Sequence, residues 1–92
     1  MIVRILGEGQ REVAQEHVNR LNELDEALTQ AVSTGDQAGF ERQLATLLQR
    51  VRTVGVPLAD DVLSVSDSIL PAEGSSLTEV MDLLGEQGLI PG

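Results

Sequence analysis

His17 is the chain's single histidine. A helical zinc pair needs a second ligand one turn away, and the positions three and four residues to either side hold Val13, Ala14, Arg20 and Leu21. None can ligate, so His17 reads as a surface position. Asp60, Asp61 and Asp67 come closest to a carboxylate site. A calcium loop requires alternating oxygen ligands, a central glycine and a closing glutamate, and this spacing lacks them. Acid–base catalysis needs two carboxylates in different environments of one cleft. A chain of 92 residues has little means of building such a cleft, and capping and solvation account for these residues better. Gly7-Glu8-Gly9-Gln10 resembles the start of a dinucleotide fingerprint, but the sixth position is Glu12 and a second strand follows. A Walker loop is excluded, because the chain has no lysine. The serines (Ser33, Ser64, Ser66, Ser68, Ser75, Ser76) sit in cap or turn contexts, and none lies in a G-x-S-x-G elbow. Cysteine is absent, which removes thiolate nucleophiles, disulfides and thiolate metal sites. The chain reads as a non-enzyme, with no catalytic, cofactor or metal residues to assign.

Composition narrows the partners. Fifteen acids stand against six arginines, for a net charge of −9. Nucleic acid is an unfavourable partner, since binding it requires a basic surface that displaces counterions. Anionic lipid is unfavourable for the same reason. No apolar run approaches the length of a membrane span, and the N-terminus lacks a signal-peptide layout, so direct membrane insertion is not expected and the expected location is cytoplasmic. Phe40 is the only aromatic residue, which removes the usual interface anchors and base-stacking platforms. The acidic surface suits either solubility or a basic protein partner.

The elements follow from periodicity. Ile2 to Leu6 is a β-branched apolar run closed by Gly7-Glu8-Gly9, and Gln10 to Val13 can pair back as a second strand of a hairpin. From about Gln15, Val18, Leu21, Leu24, Leu28, Ala31 and Val32 mark one face of a helix, with Glu16 placed to pair with Arg20 and Gly35 as its stop. Ala14 offers no side-chain cap. Asp36 caps a second helix with a stripe of Phe40, Leu44, Leu47, Leu48, Val51 and Val54. Arg50 and Arg52 suit its negative end, and Gly55 and Pro57 terminate it. The short connection makes the two helices an antiparallel hairpin. Residues around Val65 to Leu70 can add a third strand, and Ser76 with Glu79 forms a capping box before a short helix over Leu77 to Leu84, closed by Gly85. The expected fold is therefore α+β. A minimal antiparallel sheet, an N-terminal β-hairpin with a possible third strand, carries a helical hairpin and a short C-terminal helix on one face, in a single domain over residues 1–92.

The tail Gly88-Leu89-Ile90-Pro91-Gly92 carries two large aliphatics that must be buried against this domain or against a partner. The candidate contact residues are Gly7, Glu8, Gly9 and Gln10 of the hairpin turn, Asp67, and Leu89, Ile90 and Pro91 of the tail. A homodimer through the hairpin edge or the tail is one use of such a surface.

Taken in order, Met1-Ile2-Val3-Arg4-Ile5, Gly7-Glu8-Gly9-Gln10, Leu21-Asn22-x-Leu24-Asp25, Gly35-Asp36, Phe40, Ser66-Asp67, Leu70-Pro71, Leu77-x-Glu79-Val80 and Gly88-Leu89-Ile90-Pro91-Gly92 resemble the phage-shock-protein-A-associated (PspAA) family. The resemblance spans nearly the whole chain. It implies a setting: such proteins are typically encoded beside a PspA-like protein in actinobacteria and archaea. PspA-like proteins are long, helical and membrane-associated, and protect the envelope under stress. The resemblance therefore implies a phage-shock stress-response accessory that binds a PspA-like protein and reaches the membrane only peripherally, through that partner. It brings no catalytic residues. The competing expectation is a self-assembling structural module with no PspA-linked role.

Overall fold

A computed structural model describes residues 1–59 and 65–81 of the chain. The elements are β1 (Ile2–Ile5), β2 (Gly9–Glu12), α1 (Gln15–Thr34), α2 (Gln37–Val54), β3 (Val56–Pro57), β4 (Ser68–Leu70) and α3 (Leu77–Met81). The fold is mixed α+β, with the expected β-hairpin and helical hairpin both present. In the hairpin, Ile2 faces Glu12 and Ile5 faces Gly9. The ladder runs one step further, where the Met1 ammonium donates to the Val13 carbonyl at 2.8 Å and the Val13 amide donates to the Met1 carbonyl at 2.7 Å.

The sheet corrects one expectation. It is not a minimal antiparallel sheet but, among the described residues, a four-stranded mixed one, in the order β3-β2-β1-β4. The third strand exists as β4, but it runs parallel to β1, with Val3 opposite Ser68 and Ile5 opposite Leu70. A further strand, β3, pairs antiparallel with β2. In the sequence Pro57 reads only as a helix stop. A proline is also admissible on an edge strand, where its missing N–H costs no ladder bond.

The helices form because each carries an apolar stripe of helical period, and the stripes meet the sheet on one face. Val3 and Ile5 of β1, Leu70 of β4, Leu21 and Leu28 of α1, Phe40, Leu47, Leu48 and Val51 of α2, and Val80 of α3 are all fully buried in one cluster. The alternation in β1 is clean, since Arg4 between Val3 and Ile5 is exposed on the opposite face.

The connection between the helices is two residues with three duties. Gly35 adopts φ 70°, and its N–H and that of Asp36 close back on Val32 and Ala31 at 3.1 and 3.0 Å. This is the Schellman ending, in which a left-handed residue satisfies the last carbonyls. Asp36 then caps α2, its Oδ1 accepting from the Gly39 amide at 2.9 Å. Gly39 follows from this cap: a β-carbon there would lie 2.8 Å from the Asp36 Cγ. α1 begins after Ala14 without a side-chain cap. Arg20 does not pair with Glu16 as its spacing suggested. It turns toward Glu23, at 3.0 Å. At the far end of α2, Gly55 has φ −82° and so is no left-handed stop. It is small because a β-carbon would meet the Val51 carbonyl oxygen at 2.5 Å and Arg11 Cβ at 2.9 Å. Ser76 Oγ accepts from the Glu79 amide at 3.2 Å, opening α3. The expected continuation to Leu84 and Gly85 lies outside the described residues.

Candidate interaction surface

Gly7 and Gly9 flank Glu8 at φ 86° and 99°, the left-handed region that a tight reversal between these strands requires. The reversal projects the Glu8 side chain toward the end of α2. There Arg52 donates to it twice, Nε to Oε1 at 2.9 Å and Nη2 to Oε2, a two-pronged pair of the kind guanidinium geometry favours. Arg52 Nη1 also donates to Glu73 at 3.2 Å. One guanidinium thus ties the β1–β2 turn, the last turn of α2 and the loop before α3. The hydrogen bond from Arg52 holds the Glu8 carboxyl below its ordinary range, against a smaller upward push from desolvation. Glu8, then Glu73, push the Arg52 guanidinium further up from its already high value. Glu8 is therefore compensated within the domain, and its first effect is to hold the turn still.

Gln10 lies beside Arg4 on the face away from the helices. It is nearly buried, and its Nε2 donates to Ser66 Oγ at 2.7 Å. Asp67 acts on the backbone: its Oδ2 accepts from the Ile2 amide at 2.8 Å, while its own amide donates to the Ile2 carbonyl at 2.8 Å. This pins the entry of β4 to the start of β1. The described candidate residues thus divide between two ends of β1, with Gly7, Glu8, Gly9 and Gln10 at or beside the turn and Asp67 at the strand's beginning. Leu89, Ile90 and Pro91 lie outside the described residues, as do Asp60 and Asp61.

His17 is half-buried, with Nε2 3.8 Å from Glu16 Oε1. Among the described residues no three histidines or carboxylates converge on a metal position. No helix among them is long and apolar enough to cross a membrane. Asp25 sits buried on the inner face of α1 and has a polar partner there.

The uncovered sheet is legible in the sequence as a place for association; a groove on the helices is not. The strands expose Val56 and Ile69, at 63% and 46%, and outside them Leu6 and Val65 are exposed, Val65 at 90%. On the helices, Arg20 and Leu24 of α1 and Ala45, Thr46, Gln49, Arg50 and Thr53 of α2, together with Glu73, line a groove of about 570 Å³. Arg50 and Arg52 read in the sequence only as helix-end cations. Arg52 lies 44 residues from Glu8, and no local pattern marks such a pair.

The comparisons with known proteins bear on what this surface serves. Neither the curated proteins nor the solved structures give a match. The family described as PspA-associated protein does match, over residues 1–92, and the chain belongs to that family.

Proposed function

We infer that this chain is a non-catalytic accessory of a PspA-linked stress system and acts by binding a PspA-like protein. The observation that carries this reading is the family match over the whole chain. The net charge of −9 supports a partner with basic patches, since complementary charge speeds encounter and fixes register. The candidate contacts remain the turn Gly7, Glu8, Gly9 and Gln10, Asp67, and Leu89, Ile90 and Pro91, with Glu8 and Asp67 also holding the surface in shape. Such a protein works in the cytoplasm and meets the membrane through its partner.

The test is calorimetric binding of this chain to the PspA-like protein encoded in the same genome, at low and high salt. Affinity that falls with salt is expected. Affinity indifferent to salt would remove the electrostatic part, and no binding at either salt would remove the partner.

One observation favours self-assembly as a second reading. Among the described residues β4 is the outer strand on its side of the sheet, and Ile69 on it is 46% exposed, so a second copy can add to that edge. Light scattering that gives a monomer mass at high concentration would exclude it.

A further inference from the structure

Among its described lining residues, the groove between the helices carries a net positive charge, opposite to that of the molecule. Of six arginines in a chain of net charge −9, two line it, Arg20 and Arg50. Among the described residues its lining includes one acid, Glu73, and that acid is held by Arg52 at 3.2 Å. Arg50 is exposed and makes no ion pair among the described residues. Arg20 pairs with Glu23, but both side chains are more than half exposed, and such a pair is cheaply exchanged for another carboxylate. Leu24, a core residue 6% accessible, and the exposed Ala45 add the apolar part of the lining. From Ala45 to Thr53 the groove follows α2 for about 12 Å at 1.5 Å per residue, the length of roughly two helical turns.

We propose that this groove seats an amphipathic helix of the protein partner, one that turns carboxylates toward Arg20 and Arg50 and aliphatic side chains toward Leu24 and Ala45. The proposal rests on the partner reading above and adds its register. A partner that is basic elsewhere meets the acidic surface anywhere, but only a helix with acids in the right places satisfies both arginines. A uniformly basic helix is repelled there, so the groove discriminates as well as attracts. Helix-in-groove recognition of this kind reads side chains at three- and four-residue steps.

The experiment follows backbone amide shifts of the labelled chain during titration with the PspA-like protein, and separately with two synthetic amphipathic helices. Both peptides have leucines on the apolar side. One carries glutamates beside them and lysines opposite, and the other carries lysines throughout. The expected result is saturable shifts at Leu24, Thr46 and Gln49 with the partner and with the glutamate-bearing peptide, and none with the lysine peptide. The double variant Arg20→Glu/Arg50→Glu then raises Kd about tenfold or more. The double variant Arg4→Glu/Arg42→Glu, with the same charge change elsewhere, leaves or improves the affinity. Arg20→Gln/Arg50→Gln, checked by circular dichroism, guards against a folding defect and weakens binding in the same direction. If the partner binds with shifts confined to the sheet, and the two reversed variants bind alike, the groove assignment is wrong while the partner reading stands. If the partner does not bind the parent chain at all, the partner reading falls. The peptide pair then decides the groove: a response to glutamate alone sustains it, and equal or absent responses overturn it.

Discussion

Asp36 and Gly39 form a pair whose coupling a double-mutant cycle can weigh. The Asp36 carboxylate accepts from the Gly39 amide at 2.9 Å, and the three atoms nearest to a β-carbon at position 39 all belong to Asp36. Asp36→Ala removes the cap and should cost about 1 kcal/mol. Gly39→Ala has two opposed effects. It gains about 0.8–1.0 kcal/mol of helix propensity, but its methyl displaces the carboxylate and forfeits the cap, so in the parent the net change is close to zero. In the Asp36→Ala background there is no cap left to lose, and the same substitution should stabilise by about 1 kcal/mol. The cycle therefore carries a coupling of about 1 kcal/mol, read from urea unfolding of the four proteins. In thermal melts each kcal/mol amounts to about 4–8 °C for a domain of this size. If Gly39→Ala stabilised parent and variant equally, within about 0.3–0.5 kcal/mol, the steric account of Gly39 would be refuted.

Leu47 is fully buried in the core cluster, so Leu47→Ala should cost about 2–5 kcal/mol, and an unchanged urea midpoint would contradict the face assigned to α2. Glu8 has a depressed pKa in the folded state, so it takes up its proton at lower pH folded than unfolded. Its contribution is thus present above its unfolded pKa of about 4.3 and is lost as pH falls through the lower folded value. Glu8→Gln should flatten the acid limb of the stability–pH curve below about pH 4.5. An acid limb identical to the parent's would mean that the Arg52 pair contributes nothing measurable.

Much of the secondary structure was legible in the residues because it rests on short-range chemistry. The stripes from Val18 to Ala31 and from Phe40 to Val51, the Gly35-Asp36 junction and the Gly7-Glu8-Gly9 reversal each depend on neighbours within a turn or two. Even so, spacing alone misassigned Arg20, whose exposed side chain reaches i+3 and i+4 partners on either side at similar cost, and here takes Glu23. Family membership was legible too, because ordered motifs survive as a linear pattern.

What the tertiary structure decided was everything that joins distant segments. The parallel pairing of β4 with β1 brings Asp67 to Ile2 across 65 residues, and the pairing of Val56 with Glu12 makes a strand of a segment whose proline reads locally as a stop. The Glu8–Arg52–Glu73 bridge and the arginine-lined groove arise only when α1, α2 and the loops are packed together. Propensity and periodicity are properties of neighbours along the chain. Strand order, ion pairs and grooves are set by which surfaces bury each other, and the entropy of closing such long loops is repaid only once the common core has formed.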